Sequence, residues 1–276
     1  MTESASFMKF PIDGLQLQLG LTNYCNYKCN MCNQTFHEKV FNSDDPNDKS
    51  LPLHGGKFGF LPLDLYSKIL LNVQNHKLDS ISMMWIGESL IHPDFFKMLE
   101  NLFEKNQQSH FFRNLVLNTN ASLLTNKLSD LILNYFKNNP DNSFSFIFSL
   151  DAGSEDVYLS TKRTPLYNQT VANIQYFLKE QKRLGVHNIC PILQYVVTPQ
   201  NYDDATNFIN LWSSYLKKIK VKHAIVGETS EFADVEVHLS FKLAQGKNVD
   251  RLIDLHNKLK AELKLPIYIK EFAQEE

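Results

Sequence analysis

Three of the four cysteines in this 276-residue chain stand within eight residues, in the stretch Cys25-Asn26-Tyr27-Lys28-Cys29-Asn30-Met31-Cys32. Soft thiolates spaced so closely on one loop favour zinc or an iron–sulfur cluster. Either group usually takes four protein ligands. Three leave a position open, the condition of a metal that meets a substrate. A structural zinc knuckle would need a fourth ligand, for which His37 is available, and an iron–sulfur electron carrier would normally need four cysteines. The remaining cysteine, Cys190, precedes Pro191 at the start of a predicted strand and reads as a buried, inert thiol.

Composition narrows the setting for this loop. Apolar residues make up 43% of the chain, enough for a full core. A formal net charge of -2 gives no basic excess, so no nucleic acid is expected as a partner. No signal-peptide pattern and no long uncharged apolar run is found, so no membrane is expected either. Clustered rather than paired cysteines are no disulfide framework, and reduced thiols suit the cytoplasm.

The elements that must position the cysteines follow from periodicity. Leu15-Gln16-Leu17-Gln18-Leu19 alternates as a strand with two unlike faces, and Gly20-Leu21-Thr22-Asn23 ends it. The cysteine loop therefore follows the C-terminal end of a first strand, which is the catalytic face of a parallel α/β barrel. Residues 37–60 form a polar stretch read either as a surface loop or as a lid over the site. From Pro62 a helix is expected, with Leu65, Ile69 and Val73 on its buried face. Further strands are expected at 80–86, 115–117, 144–150, 192–197 and 221–226. Helices are expected at 95–108, from the N-cap Thr125 to 137, at 168–184 before Gly185, and at 203–217. Alternation of this kind predicts an α/β fold, a partial (β/α)6 TIM barrel over residues 1–228. A short C-terminal extension, 229–276, is left with an amphipathic helix at 250–263 and a candidate strand at 266–272.

The motifs now converge. The spacing Cys-x3-Cys-x2-Cys resembles the signature of the radical S-adenosylmethionine (radical SAM) superfamily. Ile86-Gly87-Glu88-Ser89 resembles that family's Gly-Gly-Glu-Pro motif at the end of the second strand; its first Gly and its Pro are replaced here, so Gly87 and Glu88 carry over. Leu90-Ile91-His92-Pro93-Asp94-Phe95 is close to the usual continuation. Asn118-Thr119-Asn120-Ala121 is similar to Thr-Asn-Gly at the third strand, and Ser149-Leu150-Asp151 to the fourth-strand motif. Arg163 matches an arginine that meets the SAM carboxylate, and Val197-Thr198-Pro199-Gln200-Asn201 resembles the fifth-strand end of members with extra clusters. The likeness covers residues 15–228.

What the resemblance implies is specific. Cys25, Cys29 and Cys32 would hold three irons of a [4Fe–4S] cluster, and SAM's amino and carboxylate groups would chelate the fourth. Glu88 would accept from the SAM ammonium. Gly87, Asn120, Ser149 and Asp151 would complete the SAM contacts, Arg163 would donate to the carboxylate, and Met31 would pack by the adenine. A flavodoxin- or ferredoxin-type donor would reduce the cluster. The resulting 5′-deoxyadenosyl radical would take a hydrogen atom from a peptide or small-molecule substrate. The alternative is a zinc- or iron–sulfur-stabilised binding or electron-transfer protein without SAM chemistry. Each site residue also has a plainer role: Glu88 as an acid at a helix start, Asn120 and Asp151 as turn residues, Arg163 as a surface charge.

Relatives of this kind usually carry a cysteine-rich C-terminal domain for auxiliary clusters, whereas no cysteine follows Cys190 here. Either the chain works with one cluster or that domain lies outside it. With one cluster, redox-neutral chemistry is favoured over a net two-electron oxidation. Tyr195, Glu228 and the 37–60 loop are the candidates to meet the substrate.

Overall fold

The computed structural model describes residues 14–32, 58–226 and 235–243, together with 254, 257–258, 261 and 267–268. Most of the expected lid, Glu228 and most of the expected helix at 250–263 lie outside the described residues.

Eight parallel strands among the described residues form one open sheet: β1 (Gln16–Gln18), β2 (Leu78–Ser82), β3 (Phe112–Thr119), β4 (Ser143–Ser149), β5 (Ile189–Val197), β6 (His223–Val226), β7 (Val237–Leu243) and β8 (Ile267–Tyr268). Their order is β1-β2-β3-β4-β5-β7-β6-β8, so the first five run in sequence and β7 is inserted before β6. Six helices are described: α1 (Leu63–Val73), α2 (Phe95–Ser109), α3 (Asn126–Asn138), α4 (Glu155–Lys162), α5 (Tyr167–Leu184) and α6 (Ala205–Lys218). The partial-barrel class expected from the sequence holds. The strand count is eight rather than six, and β7 and β8 come from beyond residue 228, so the sheet continues past the boundary drawn there. Among the described residues no helix is long and apolar enough to cross a membrane.

The helix ends follow their sequence signals. Thr125 caps α3, its hydroxyl accepting from Leu128 N at 3.2 Å. Gly185, at φ 67°, ends α5 in the left-handed conformation that glycine adopts without strain. Of the expected stripe of α1, Ile69 and Val73 pack against the core, and Leu65 departs from it. Tyr66 and Leu70 are its fully buried residues, while Leu65 is 44% exposed. The Tyr66 hydroxyl, donating to Met98 O at 2.9 Å, turns that side inward.

A phenylalanine ladder on β4 joins sheet to helices. Phe144, Phe146 and Phe148 alternate with smaller residues, are fully buried, and stack along the strand at centroid distances of 4.6 and 4.3 Å. Phe177 of α5 meets Phe146 edge-on at 5.1 Å. Each such burial contributes about 1.5–3 kcal/mol. Because side chains alternate across a strand, Ser145, Ile147 and Ser149 are left facing the inside of the barrel.

Past β4, the chain passes under α6 at Gly153. Its N–H donates to Asp204 Oδ2 at 2.5 Å. A Cβ added there would lie 2.0 Å from Phe208 N. Gly153→Ala is therefore expected to cost about 1–3 kcal/mol by overpacking. At roughly 2–4 °C per kcal/mol for a domain of this size, calorimetry should record a fall in Tm of several degrees. An unchanged Tm would contradict the packing of α6 on this turn.

Candidate functional site

The cysteine loop has little regular structure and takes its shape from what it is docked on. On the β2 side, Glu88 N donates to Tyr24 O at 2.8 Å. Gly87 permits this approach. At φ 91° it has the left-handed backbone that disfavours a side chain, and an added Cβ would lie 2.4 Å from Tyr24 O. On the β3 side, Asn120 Nδ2 donates to Asn26 Oδ1 at 2.9 Å, and Asn26 Nδ2 donates to Ser122 Oγ at 3.0 Å. The third support is the C-terminal end of α4. Its carbonyls at Thr161 and Ser160 accept from Asn30 N at 2.9 Å and Asn30 Nδ2 at 2.5 Å. Beneath the loop, Tyr27 is anchored by its hydroxyl to those of Tyr158 at 2.9 Å and Thr170 at 3.3 Å.

The loop walls one side of a cavity of roughly 210 Å³ at the C-terminal ends of the strands. Cys25, Cys29, Cys32, Met31, Gly87, Glu88, Asn120, Ser149 and Asp151 all line it. The residues expected to hold the cluster and SAM are thus brought to one place, apart from Arg163. Asn201, also at a strand end, lies behind the wall, where its Nδ2 donates to Asp151 O at 2.9 Å.

Arg163 is the correction. It is the left-handed residue that follows α4, at φ 56°, and is exposed. The cation that reaches the cavity is its neighbour Lys162. Tyr158, Thr161 and Lys162 form the buried face of α4, and one further residue turns the chain outward. Lys162 Nζ pairs with Asp151 Oδ2, both side chains being almost fully buried. Burial works against the charge on Lys162, but the neighbouring Asp151 and Cys29 outweigh it and hold the lysine above its ordinary range. Asp151 is fixed in turn. Its other oxygen accepts from Val196 N at 2.6 Å, and its backbone is left-handed at φ 57°. A strained conformation of this kind at a strand end is typical of functional sites.

Tyr195 is the second correction. Its ring is fully buried against Phe208 and Phe241, and its hydroxyl donates to Asn201 O at 2.5 Å, so it faces the helix layer and not the barrel interior.

Glu88 is 3% exposed. Its Oε1 accepts from Thr119 Oγ1 at 2.7 Å and Leu90 N at 3.1 Å, and its Oε2 accepts from Asn120 N at 2.7 Å. Burial raises its pKa, with the hydrogen bonds acting against that shift. The plainer role expected for it is real, since Leu90 N belongs to a short 3-10 turn that Glu88 caps. A carboxylate offers about four acceptor directions, however, and three are used, which leaves one toward the cavity. Asp151 and Asn120 likewise serve turns and line the cavity at once.

The three thiols are half-buried. Burial pushes the Cys25 thiol up to about 12 and raises Cys29 as well. Thiolate ligation must therefore expel protons that burial holds in place. Among the described residues no three His, Cys, Asp or Glu side chains converge on one point fit for a single metal ion. Three soft donors bordering one cavity suit an iron–sulfur cluster whose irons each take a different thiolate.

Lys162, Met84, Trp85 and Val196 also line the cavity and were missed from sequence. Only Lys162 carried a readable signal, four residues after the aromatic Tyr158 on one helix face. Gly87→Ala is expected to dislodge Tyr24 and lower iron content after anaerobic reconstitution by half or more. Far-UV circular dichroism should stay that of wild type. Full iron loading in the variant would contradict the docking described.

Comparison with known proteins agrees with this geometry. The family model described as the Radical SAM superfamily matches residues 19–211. No curated protein matches. Among solved structures, Streptococcus suis SuiB bound to S-adenosylmethionine superposes with a TM-score of 0.55 at 15% identity, over 95% of this chain and 52% of that one. Native anSMEcpe with bound AdoMet gives 0.54 at 14% identity, over 93% and 64%. The same protein with bound AdoMet and the Cp18Cys peptide gives 0.53 at 14%, over 93% and 63%. At such identities the likeness is one of fold, and this chain spans about half to two thirds of those proteins' length. With the family model covering most of the chain and three cysteines bordering a cavity at the strand ends, the chain belongs to the radical SAM superfamily of enzymes, whose cofactors are a [4Fe–4S] cluster and S-adenosylmethionine.

Proposed function

We propose that this chain cleaves SAM reductively at a cluster held by Cys25, Cys29 and Cys32, and abstracts a hydrogen atom from a peptide or small-molecule substrate inside the barrel. The observation that carries the reading is that the three thiols share one cavity with a buried carboxylate, Glu88, and a buried cation, Lys162. When bound, the cluster and SAM together supply one-electron cleavage of the sulfonium and the means to break an unactivated C–H bond.

The protein's own residues bind and orient. The methionine end of SAM is a zwitterion, needing acceptors for its ammonium and donors for its carboxylate. Glu88 has one acceptor direction left. Lys162 has three donors, one of them taken by Asp151, so two remain for a carboxylate. Lys162 replaces Arg163 in that role. Asn120, Ser149 and Asp151 offer polar contacts to the ribose, Gly87 brings backbone close, and Met31 offers a polarizable surface for the adenine. A flavodoxin- or ferredoxin-type protein is the proposed electron donor and the reducing cytoplasm the proposed location. Residues 1–228, with β7 inserted into their sheet, are proposed as the SAM-cleaving core.

Anaerobic reconstitution with iron and sulfide, followed by reductant and SAM, tests the reading. 5′-Deoxyadenosine is expected only when all components are present; its absence from a fully loaded, reduced sample would overturn the proposal. Lys162→Met is expected to weaken SAM binding about tenfold or more, on the scale of a hydrogen bond between charged groups, and Arg163→Met to leave it unchanged. The double variant Asp151→Asn/Lys162→Met, which strands no charge, serves as the folded control. Equal SAM affinities in the two single variants, read by calorimetry, would return the role to neither residue.

A further inference from the structure

The wall of the SAM cavity does not stop at β4. In parallel pairs, residues in register share a face. Phe148, Tyr195 and Phe241 face the helices, since Phe148 meets Phe177 while Tyr195 and Phe241 pack on Phe208. Their neighbours Ser149, Gln194, Val196, Ser240 and Lys242 therefore face the barrel interior. Ser149 pairs with Gln194, and Gln194 with Ser240, in one row; Val196 pairs with Lys242 in the row above. Ser149 and Val196 line the cavity of the cysteines, so Gln194, Ser240 and Lys242 extend the same surface beyond it.

This extension is polar and shielded. Gln194 is 7% exposed and Ser240 5%. Gln194 Nε2 makes one long bond, donating to Ser149 Oγ at 3.4 Å, and Ser149 Oγ donates to Asn118 Oδ1 at 3.0 Å. The Lys242 side chain is half-buried and stands in register with Val196, which lines the cavity. Polar side chains gathered on the inner face of a sheet beside a cofactor cavity are set for a bound molecule.

We propose that Gln194, Ser240 and Lys242, next in the row to the SAM contact Ser149, form the substrate subsite, and that the substrate carries an anionic group, a carboxylate or a phosphate, held by Lys242. Strands lie about 4.8 Å apart. The anion on β7 is thus about 10 Å across the sheet from Ser149 on β4, a span that puts the reacting carbon of a small polar molecule beside the SAM cavity. Gln194 and Ser240 hydrogen-bond the part of the substrate between. The proposal rests on the SAM-cleaving reading and adds to it the class of substrate.

The test uses the reconstituted enzyme with its cluster reduced, titrated with inorganic phosphate and separately with malonate, each with and without SAM. An anion held in the barrel lies near the paramagnetic cluster. Relaxation of the phosphorus nucleus, or of the malonate methylene protons, is therefore enhanced over an oxidised blank. Saturable enhancement is expected in wild type, with a loss of about tenfold or more in apparent affinity in Lys242→Met and retention in Lys242→Arg. The probe that binds more tightly distinguishes a carboxylate substrate from a phosphorylated one. No enhancement by either anion in wild type, or equal enhancement in Lys242→Met, overturns the proposal. The EPR change of the reduced cluster on adding SAM is read on the same samples. Its absence overturns the SAM reading, while the SAM-free titrations still decide the role of Lys242.

Discussion

A single buried carboxylate sets the geometry of this molecule. Glu88 joins the end of β2 to the end of β3 through Thr119 and Asn120 N, and its own amide holds the cysteine loop at Tyr24 O. A carboxylate removed from water is tolerable only when its lone pairs are met. The two strand ends must therefore stay in register with each other and with the loop. A slip in any of them would strand a charge in the interior. Glu88 thus locks together the cysteines, the left-handed turn at Ala121 and the top of the sheet before any cofactor arrives.

A second charge completes the frame from the other side. Asp151 and Lys162 neutralise one another at the edge of the cavity, and Asn201 and Val196 fix Asp151 through the backbone. Lys162 ends α4 where that helix offers its carbonyls to Asn30, so the last turn of one helix both seats the loop and brings a cation to Cys29. A positive charge beside a thiolate offsets part of the negative charge that a cluster brings. The ion pair and the loop contacts are parts of one arrangement, since moving α4 would break both.

The sequence made the local chemistry readable and the orientations less so. Cys25, Cys29 and Cys32 announce themselves because ligand spacing on one loop needs no knowledge of the fold. Gly87-Glu88, Asn120, Ser149 and Asp151 were legible because each ends a strand, and parallel topology gathers strand ends. The motif match falls on Arg163, one residue past the end of α4, whereas its neighbour Lys162 is buried; successive helix residues point about 100° apart, given 3.6 residues per turn. An error of one position exchanges a buried face for an exposed one. Strand β7 had a readable alternation of Val237, Leu239 and Phe241 against His238, Ser240 and Lys242. Its insertion between β5 and β6 had no local signal, because the pairing of distant strands is decided by packing and not by pattern.

The two ends of the sheet divide stability from chemistry. At the N-terminal end lies a larger cavity, roughly 380 Å³, whose wall includes Leu178, Val186, Ile189, Val221 and Val237. Cys190 borders it, its thiol pushed up to about 11 by burial and 3.8 Å from His238 Nδ1, while burial lowers the histidine's own pKa. Both members of that pair are thereby kept neutral, the opposite of an activated thiolate beside an imidazolium. Nearby, Asn106, Tyr135 and Asn142 close a hydrogen-bonded knot on the amide of Phe112, in which polar groups satisfy one another and none points at a ligand. The C-terminal cavity is smaller, yet its wall carries a left-handed non-glycine turn at Asp151, three thiols, and charges with donors and acceptors to spare. Size alone would select the wrong end. The three thiols and the buried charges Glu88, Asp151 and Lys162 select the end where the strands stop, and there the parallel direction of all eight described strands concentrates whatever chemistry the loops supply.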